Sequence, residues 1–387
     1  SKKDDENNYS SGADATAFRV LVWKSAKEQW VGVVIDVKTA FLNAAMDQKG
    51  DEGILLIKPP TILVEKQFMT KEALFLPLRA VYGFRRSPRL WGDHRDSVMK
   101  TIKIQFVSSG QTVELVLEPL ESEPNLWKVV KAEGEKQREL EEEFQLYGMV
   151  MTYVDDIFIS GCQPVVEALL KEFQSIWATS KPEWVSSSPV RFLGMEVTKE
   201  VDPETQREVW LITQESYIKD LVSRQEEEVK EKKIPISRDQ AAMEVDEEPP
   251  SIERVRKCQK AVGEVLWLVT RTRPDIMFSV ARMGANVTRA TRKVMEAASQ
   301  LWGFLKKTSA EGLRYEEETE EEPVVQVYTD ASFAPEGEES HGSYLVMVNR
   351  CPLFWRSGRQ ASVTLSTGEA ELNELVEGLN AGESVAV

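Results

Sequence analysis

The chain has 387 residues, of which 42% are hydrophobic and 29% are charged. This length and apolar content suffice for two or three domains with hydrophobic cores, and they exclude a wholly disordered chain. No apolar run is long enough to span a bilayer, so we expect no membrane partner. Because residue 1 is not Met, we expect a processed or incomplete chain.

The net charge of −16 by itself argues against nucleic-acid binding, which needs clustered Lys and Arg. The acidic residues are concentrated in runs, however, and such runs are typical of solvated loops or linkers. They lie at 139–143, 226–228, 244–248 and 316–322. Outside these runs, local basic stretches remain, such as the one from Arg85 to Arg89.

The predicted elements alternate between helices and strands along the whole chain. Apolar residues at helical spacing predict helices over about 16–30, 90–99, 165–177, 255–269, 274–283 and 294–305, and from 367 onward. Gly312 is expected to act as a terminator after the sixth of these. Short runs rich in β-branched residues predict strands over about 31–37, 54–57, 126–130, 146–153, 157–160, 192–197, 209–213, 324–329, 342–348 and 353–356.

Two groups of carboxylates stand at the ends of predicted apolar strands. Asp36 follows Val33–Ile35, while Asp155 and Asp156 form the turn of a strand-turn-strand segment. With only two His and three Cys in the chain, a metal site would have to use carboxylates. Nucleotidyl transfer uses two divalent cations about 3.5–4 Å apart, held by such oxygens. On the Asp-Asp turn alone, a solvated hairpin turn explains the residues equally well.

Other segments of the chain, in their order, favour a metal site over a solvated hairpin turn. Taken together, they resemble motifs A, B, C and E of the reverse transcriptases of copia-type retrotransposons, and the segments that follow them. The matching stretches are 36–43 (DVKTAFLN), 81–91 (VYGFRRSPRLW), 153–156 (YVDD), 192–197 (FLGMEV), 261–267 (AVGEVLW), 271–276 (RTRPDI) and 312–315 (GLRY). The resemblance covers the chain from about Thr16 to its end.

The resemblance implies a metal site with defined ligands. Asp36 and Asp155 would bind two Mg²⁺ or Mn²⁺ ions, with Asp156 in support and the backbone carbonyl of Val37 also facing a metal. Without the resemblance, each of these positions has an ordinary structural explanation.

The resemblance also implies where nucleotide, template and primer bind. Phe41 would lie under the sugar of the incoming nucleotide and leave no room for a 2′-hydroxyl; core packing is the alternative for this side chain. Tyr82 and Gly83 would line the nucleotide and template side. Phosphate contacts would come from a basic turn that is otherwise merely solvated, namely Arg85, Arg86 and Arg89. The primer-grip hairpin would contain Phe192, Leu193 and Gly194.

The last part of the chain resembles the start of the ribonuclease H domain of the same elements. Tyr328–Ser332 ends a strand with Asp330, and Ser366–Leu372 opens a helix that carries Glu369 and Glu371. The resemblance makes Asp330 and Glu371 catalytic metal ligands, in preference to Glu369. In isolation each would be an ordinary surface carboxylate.

The expected fold class is α+β. It comprises a reverse-transcriptase palm with an antiparallel sheet, a helical thumb or connection region, and a partial ribonuclease H-like α/β segment. The expected divisions are a disordered stretch at 1–15, the palm at 16–225, a charged linker at 226–250, the helical region at 251–315, an acidic linker at 316–323 and the ribonuclease H-like segment at 324–387.

The sequence also departs from the family pattern. Only about one helix precedes Asp36, so the basic fingers that hold a triphosphate are expected to be missing, and the nuclease segment stops early. Ala44 replaces the glycine of motif A, and the insertion between motifs B and C is long and acidic. We therefore expect weak or no activity from the chain alone.

Two functions remain open. The first is an RNA-directed DNA polymerase with a linked partial ribonuclease H. Its partners would be an RNA template, a DNA primer, dNTPs and the rest of a polyprotein (fingers, integrase and remaining ribonuclease H). The second is an inactive remnant that binds nucleic acid or protein at most weakly. Family analogy places the protein inside the cell, in cytoplasmic virus-like particles or in the nucleus.

Overall fold

In a computed structural model of the chain, the structure describes residues 12–46, 55–108, 111–132, 145–316, 324–333 and 339–385. The predicted disordered stretch up to residue 11, Ile54, and the acidic runs at 139–143 and 317–322 lie outside these ranges. Within the described ranges, none of the helices is both long and apolar enough to cross a lipid bilayer.

The helices in chain order are α1 (Ala15–Lys27), α2 (Ala40–Asn43), α3 (Thr61–Glu65), α4 (Ser87–Met99), α5 (Gln163–Ile176), α6 (Glu215–Ser223), α7 (Arg238–Ala241), α8 (Ile252–Val269), α9 (Met277–Gly284), α10 (Thr291–Lys307) and α11 (Thr367–Val385). A 3₁₀ turn, Pro274–Ile276, precedes α9.

The strands are β1 (Val31–Asp36), β2 (Lys103–Ser108), β3 (Gln111–Pro119), β4 (Leu126–Lys131), β5 (Gly148–Tyr153), β6 (Asp156–Gly161), β7 (Glu183–Trp184), β8 (Val190–Phe192), β9 (Met195–Val201), β10 (Glu208–Thr213), β11 (Leu313–Glu316), β12 (Val325–Ser332), β13 (His341–Val348) and β14 (Cys351–Arg359). All pair in antiparallel fashion, so the predicted α+β class is confirmed.

The chain divides into two compact units. The first contains residues 30–184 together with the segment up to Asp14. It is built on a sheet of order β2-β3-β4-β5-β6-β1-β7. Buried residues of β1, β5 and β6 pack with Trp91 of α4 and with Val165, Leu169 and Phe173 of α5. Strands β1 and β6 bury nearly every residue, as expected of central strands, and only their ends reach solvent.

The second unit contains residues 15–29 and 185–387. Strands β11-β10-β9-β8 form one sheet, and β12-β13-β14 form another. Helices α6, α8, α9 and α10 share an apolar core around Val265, Leu268 and Leu301. Helix α11 covers one face of the second sheet, and its small residues Gly378 and Gly382 lie against Thr329 and Val327 of β12.

Several predicted elements differ from the observed ones. Only Ile57 of the predicted strand 54–57 makes a β-bridge, to Phe75, and residues 55 and 56 are irregular. The predicted strand 192–197 is split by a turn at Leu193 and Gly194 into β8 and β9. Strands β2, β3, β7 and β11 were not predicted, because polar residues alternate with short apolar runs in the longer three and β7 has only two residues.

The segment 226–250, predicted as a charged linker, packs along the helical core. Met243 is buried with that core. The Asp246 carboxylate accepts hydrogen bonds from the backbone N–H and the hydroxyl of Thr291, at 2.9 and 2.5 Å. Asp246 therefore satisfies free N–H groups at the start of α10, where a negative charge is favourable.

Gly312 was expected to terminate a helix, and this expectation was wrong. Helix α10 ends at Lys307, and Gly312 instead allows β11 to approach β10. A Cβ atom at position 312 would lie 2.2 Å from the backbone oxygen of Ile212. Since that neighbour is backbone rather than a flexible side chain, no substituent fits there without moving a strand.

We therefore expect Gly312→Ala to lower the free energy of unfolding by about 1–3 kcal/mol or more. The matched control is Gly263→Ala in the exposed middle of α8, where nothing lies within 4 Å of the added Cβ. That control should raise stability by about 0.5–1 kcal/mol. Urea unfolding of both variants measures the difference, and equal effects would contradict the assigned packing.

Candidate active site

The three acidic residues predicted to form the first metal site lie at one end of neighbouring strands. Asp36, the last residue of β1, pairs directly with Asp156, the first residue of β6. Cross-strand partners project from the same face of a sheet, so these two carboxylates are neighbours. Asp155 lies in the adjoining turn, where its carbonyl accepts a hydrogen bond of 2.8 Å from the backbone N–H of Val37.

The turn between β5 and β6 is held in an unusual conformation. Val154 has a φ of 53°, in the left-handed region that β-branched residues rarely adopt. Its carbonyl accepts a 2.6 Å hydrogen bond from the indole nitrogen of Trp91, which is buried in α4. Trp91 thus fixes the orientation of the turn that carries Asp155.

The end of β1 is fixed in a similar way. The backbone N–H of Asp36 donates to the Ser180 hydroxyl (3.0 Å), and the Ser180 N–H donates to the Asp36 carbonyl (2.8 Å). Since the backbone groups of Asp36 are paired, its position at the strand end is set by the fold.

The carboxylates affect one another's ionisation. Burial, followed by the charges of Asp155, Asp36 and Glu183, raises the pKa of Asp156 to about 6. Burial and then Asp155 raise the pKa of Asp36, while Lys38 acts in the opposite direction. Glu183 and Lys38 were not predicted from the sequence, because Glu183 lies far along the chain and Lys38 resembles an ordinary surface lysine.

The donor set suits a hard divalent cation, which prefers carboxylate oxygens. A positive charge here would also relieve the repulsion between the acids. Within the described ranges, no three His, Cys, Asp or Glu side chains converge tightly enough to form a complete ligand set by themselves. These carboxylates could therefore supply part of a coordination shell.

An aromatic pair stands beside the carboxylates. The rings of Phe41 and Tyr82 lie 4.5 Å apart between centroids, tilted by 49°. Burial and then the charges of Asp155 and Asp36 raise the pKa of the Tyr82 hydroxyl. Gly83, next to Tyr82, has a φ of 91°, which only glycine adopts easily.

The predicted basic residues surround the start of α4. Arg85 is exposed, and Arg86 is the N-cap of the helix. Arg89 lies 3.7 Å from Asp93 on the helix surface. The Ser87 hydroxyl donates to the Val81 carbonyl at 2.6 Å, which closes the loop before the helix. Three guanidinium groups therefore lie at a helix N-terminus, a location that favours anions.

The predicted primer-grip residues lie in the second unit. Phe192 ends β8 and packs against Phe18 with ring centroids 5.0 Å apart. Leu193 and Gly194, with φ values of 52° and 72°, form the tight turn between β8 and β9.

The structure does not bring Asp330 and Glu371 to one site. Residues 327 and 329 of β12 face α11, so Asp330 projects from the opposite face by the alternation of a strand. There it lines a cavity of about 310 Å³ with Phe278 and Ser357. The carboxylate that α11 buries against the sheet is Glu374, which accepts a hydrogen bond of 3.2 Å from the Gln360 side-chain amide beside Gly342. Sequence reasoning did not identify Glu374.

Comparison with known proteins supports the resemblance stated above. No protein-family profile matches the chain. The chain is 26% identical over 366 residues to the retrovirus-related Pol polyprotein from transposon TNT 1-94 of Nicotiana tabacum, covering 92% of this chain. It is 22% identical over 342 residues to a transposon Ty5-1 protein of Saccharomyces cerevisiae, covering 87% of this chain and 96% of that protein.

A third relative is the retrovirus-related Pol polyprotein from transposon RE1 of Arabidopsis thaliana. It is 22% identical over 362 residues, covering 92% of this chain. The chain spans 24% of the length of the tobacco polyprotein and 21% of the Arabidopsis one. Any activity of those whole polyproteins is therefore only proposed for this chain.

The raised pKa of Asp156 predicts a pH-dependent stability change. The folded state disfavours the charged form, so wild type incurs a penalty that develops above the unfolded pKa of 3.8 and is complete above about 6. At about pH 7, without divalent ions, Asp156→Asn should raise stability by roughly 1–2 kcal/mol after allowance for solvent screening. Near pH 4 the gain should disappear.

Urea unfolding at both pH values measures this difference. Asp93→Asn is the control, since the Asp93 side chain is 70% exposed and should respond little at either pH. A loss of stability in Asp156→Asn near pH 7, or a gain of equal size at both pH values, would contradict the description of the site.

Proposed function

Because the chain is related to the Pol polyproteins of copia-type retrotransposons, we propose that its first unit carries an RNA-directed DNA polymerase site. The observation that carries the proposal is the meeting of Asp36, Asp155 and Asp156 at adjacent strand ends. These acids belong to separate segments whose order along the chain matches the family motifs, and the fold joins them.

In this proposal Asp36 and Asp155 hold two Mg²⁺ or Mn²⁺ ions, with Asp156 and the Val37 carbonyl in support. The ions would polarise the attacking hydroxyl and stabilise the leaving pyrophosphate of an in-line displacement at the α-phosphorus. The protein supplies fixed ligand positions, because Ser180 and Trp91 hold the backbone on either side. Asp156 would release any retained proton when cations bind, since positive charge lowers its pKa.

Phe41 and Tyr82 would form one wall of the nucleotide pocket. Their contact of 4.5 Å makes the wall continuous, and a ring at Phe41 would exclude a 2′-hydroxyl. Gly83 would let template or nucleotide approach the backbone. Phosphate groups of the nucleotide or template would meet the N-terminus of α4 and its arginines, Arg85, Arg86 and Arg89.

RNA template, DNA primer and dNTPs are the proposed partners, together with the remaining parts of a polyprotein. Phe192, Leu193 and Gly194 would contact the primer. The proposal does not extend to nuclease chemistry at Asp330 and Glu371, because these residues belong to opposite sides of the second sheet. The compartment proposed by analogy is a virus-like particle or the nucleus.

Primer extension on an RNA template tests the polymerase directly. Synthesis should require Mg²⁺ or Mn²⁺ and should fall on the order of 10³-fold or more in Asp155→Asn, equivalent to about 4 kcal/mol of transition-state stabilisation. Asp220→Asn, an exposed carboxylate of the second unit, should retain full synthesis. Metal-dependent synthesis that survives Asp155→Asn would refute the assigned site. Cation binding without synthesis would favour the inactive remnant.

Sugar selectivity gives a second test. Phe41→Ala should reduce the dNTP-over-rNTP ratio of kcat/KM by on the order of 10- to 100-fold, because a 2′-hydroxyl would then fit. The matched control is Phe106→Ala. Phe106 is an aromatic residue of β2, an edge strand of the same sheet. This substitution should leave the ratio unchanged. An unaltered ratio in Phe41→Ala would show that Phe41 serves only in packing.

A further inference from the structure

The turn between β8 and β9 has both of its carbonyls bound by side chains from elsewhere. The Leu193 carbonyl accepts a hydrogen bond of 3.2 Å from Arg271, and the Gly194 carbonyl accepts one of 3.2 Å from Gln214. Gln214 in turn accepts one of 2.8 Å from the Thr272 hydroxyl. Two residues of a single segment, 271–272, thus determine where both carbonyls point.

Trp267 completes this contact. The Arg271 guanidinium lies 3.2 Å from the centroid of the Trp267 ring. A Cβ atom at Gly194 would lie only 2.7 Å from the same ring. The turn is therefore packed on the last turn of α8 as well as hydrogen-bonded to the residues that follow it.

The end of α8 is itself bound by two distant residues. A helix leaves its last carbonyls without partners. Here the Val269 carbonyl accepts a 2.7 Å hydrogen bond from the indole nitrogen of Trp355 in β14. The carbonyls of Thr270 and Arg271 accept hydrogen bonds of 3.1 and 3.0 Å from Arg19 in α1.

Arg19 and Trp355 also hold each other. Arg19 is 2% exposed and Trp355 is 7% exposed, and the guanidinium lies 4.2 Å from the indole centroid. Arg19 donates a further hydrogen bond of 2.6 Å to the Leu353 carbonyl of β14. A buried cation is favourable here because it meets the negative end of the α8 dipole and several carbonyls at once.

We propose that Arg19 and Trp355 are positioning residues for the Leu193–Gly194 turn. By fixing the backbone of residues 269–271, they orient Arg271 and Trp267, which hold the turn. The sheet β12-β13-β14 thereby acquires a role that needs no nuclease chemistry: it fixes the end of α8. The consequence for primer binding rests on the proposed polymerase function, whereas the coupling to the turn does not.

The experiment uses the full chain labelled with 5-fluorotryptophan and observed by ¹⁹F NMR. Trp267→Phe assigns the Trp267 resonance, which reports on the turn packed against that ring. Arg19→Lys keeps the charge but loses the forked donors, and it changes no aromatic ring nearby. Trp355→Phe keeps an aromatic ring under Arg19 but loses the indole donor.

Trp210→Phe is the matched control. Trp210 is fully buried in the same unit, and its indole nitrogen has no hydrogen-bond partner among the described residues. The substitution Trp210→Phe removes the same atoms as Trp355→Phe but removes no hydrogen bond. Primer extension with varied primer–template concentration provides the second readout.

The expected result is a shifted or broadened Trp267 resonance in Arg19→Lys and Trp355→Phe, and an unchanged one in Trp210→Phe. In extension assays the first two variants should raise KM for primer–template about tenfold, with kcat nearly unchanged. If Arg19→Lys does not fold, Trp355→Phe alone tests the proposal.

An unmoved Trp267 resonance in the folded variants would overturn the inference whatever the activity. A moved resonance in a protein that shows no synthesis would uphold the coupling and refute the polymerase instead. A moved resonance with an unchanged KM would overturn the role in primer binding.

Discussion

The placement of Asp36, Asp155 and Asp156 at adjoining strand ends underlies the proposed cation site. Burial, and then repulsion from neighbouring acids, raises the pKa values of Asp36 and Asp156, so the fold disfavours the charged forms of these two side chains. The strands that carry these acids must therefore be stabilised by other interactions. Here the apolar interiors of β1 and β6 provide that support, and hydrogen bonds from Ser180 and Trp91 fix the backbone beside the acids. A bound cation would turn the same repulsion into attraction.

Much of this site could be predicted from the sequence, because its parts are short and strongly patterned. An apolar strand that ends in Asp36 and a turn that carries Asp155 are local features, and their motif order identifies the lineage. Glu183 and Ser180 could not be predicted as part of the site, because they reach it through tertiary packing and do not differ in local sequence from ordinary surface residues. Trp91 ends the matching stretch 81–91, but its hydrogen bond to the Val154 carbonyl could not be predicted.

In the C-terminal segment, the elements could be predicted but the arrangement of the acidic residues could not. Its three strands and its helix were predicted in the right places, although β12 and β14 are longer than predicted, yet the relation between Asp330 and Glu371 was not. Which face of β12 meets α11 depends on register, and a change of one residue moves every side chain to the other face. The small residues of α11, such as Gly378, fix that register by close contact with Thr329. Only the packed structure reveals that the carboxylate buried between α11 and the sheet is Glu374 of the helix, while Asp330 projects from the other face of the sheet.

The same sheet supports the end of α8 through Trp355 and, with Arg19, fixes the carbonyls there. A segment can therefore matter to a neighbouring site without taking part in chemistry. This arrangement also explains why Arg19, a charged residue in a helix near the start of the chain, is buried: the free carbonyls at the end of α8 give it partners that water would otherwise provide.

Anomalous diffraction from crystals grown with Mn²⁺ and a dNTP would show whether Asp36 and Asp155 together hold divalent cations. We expect anomalous peaks within about 2.0–2.6 Å of carboxylate oxygens of both residues, and the loss of these peaks in Asp155→Asn. Peaks elsewhere on the protein, with none near Asp36 and Asp155, would contradict this expectation.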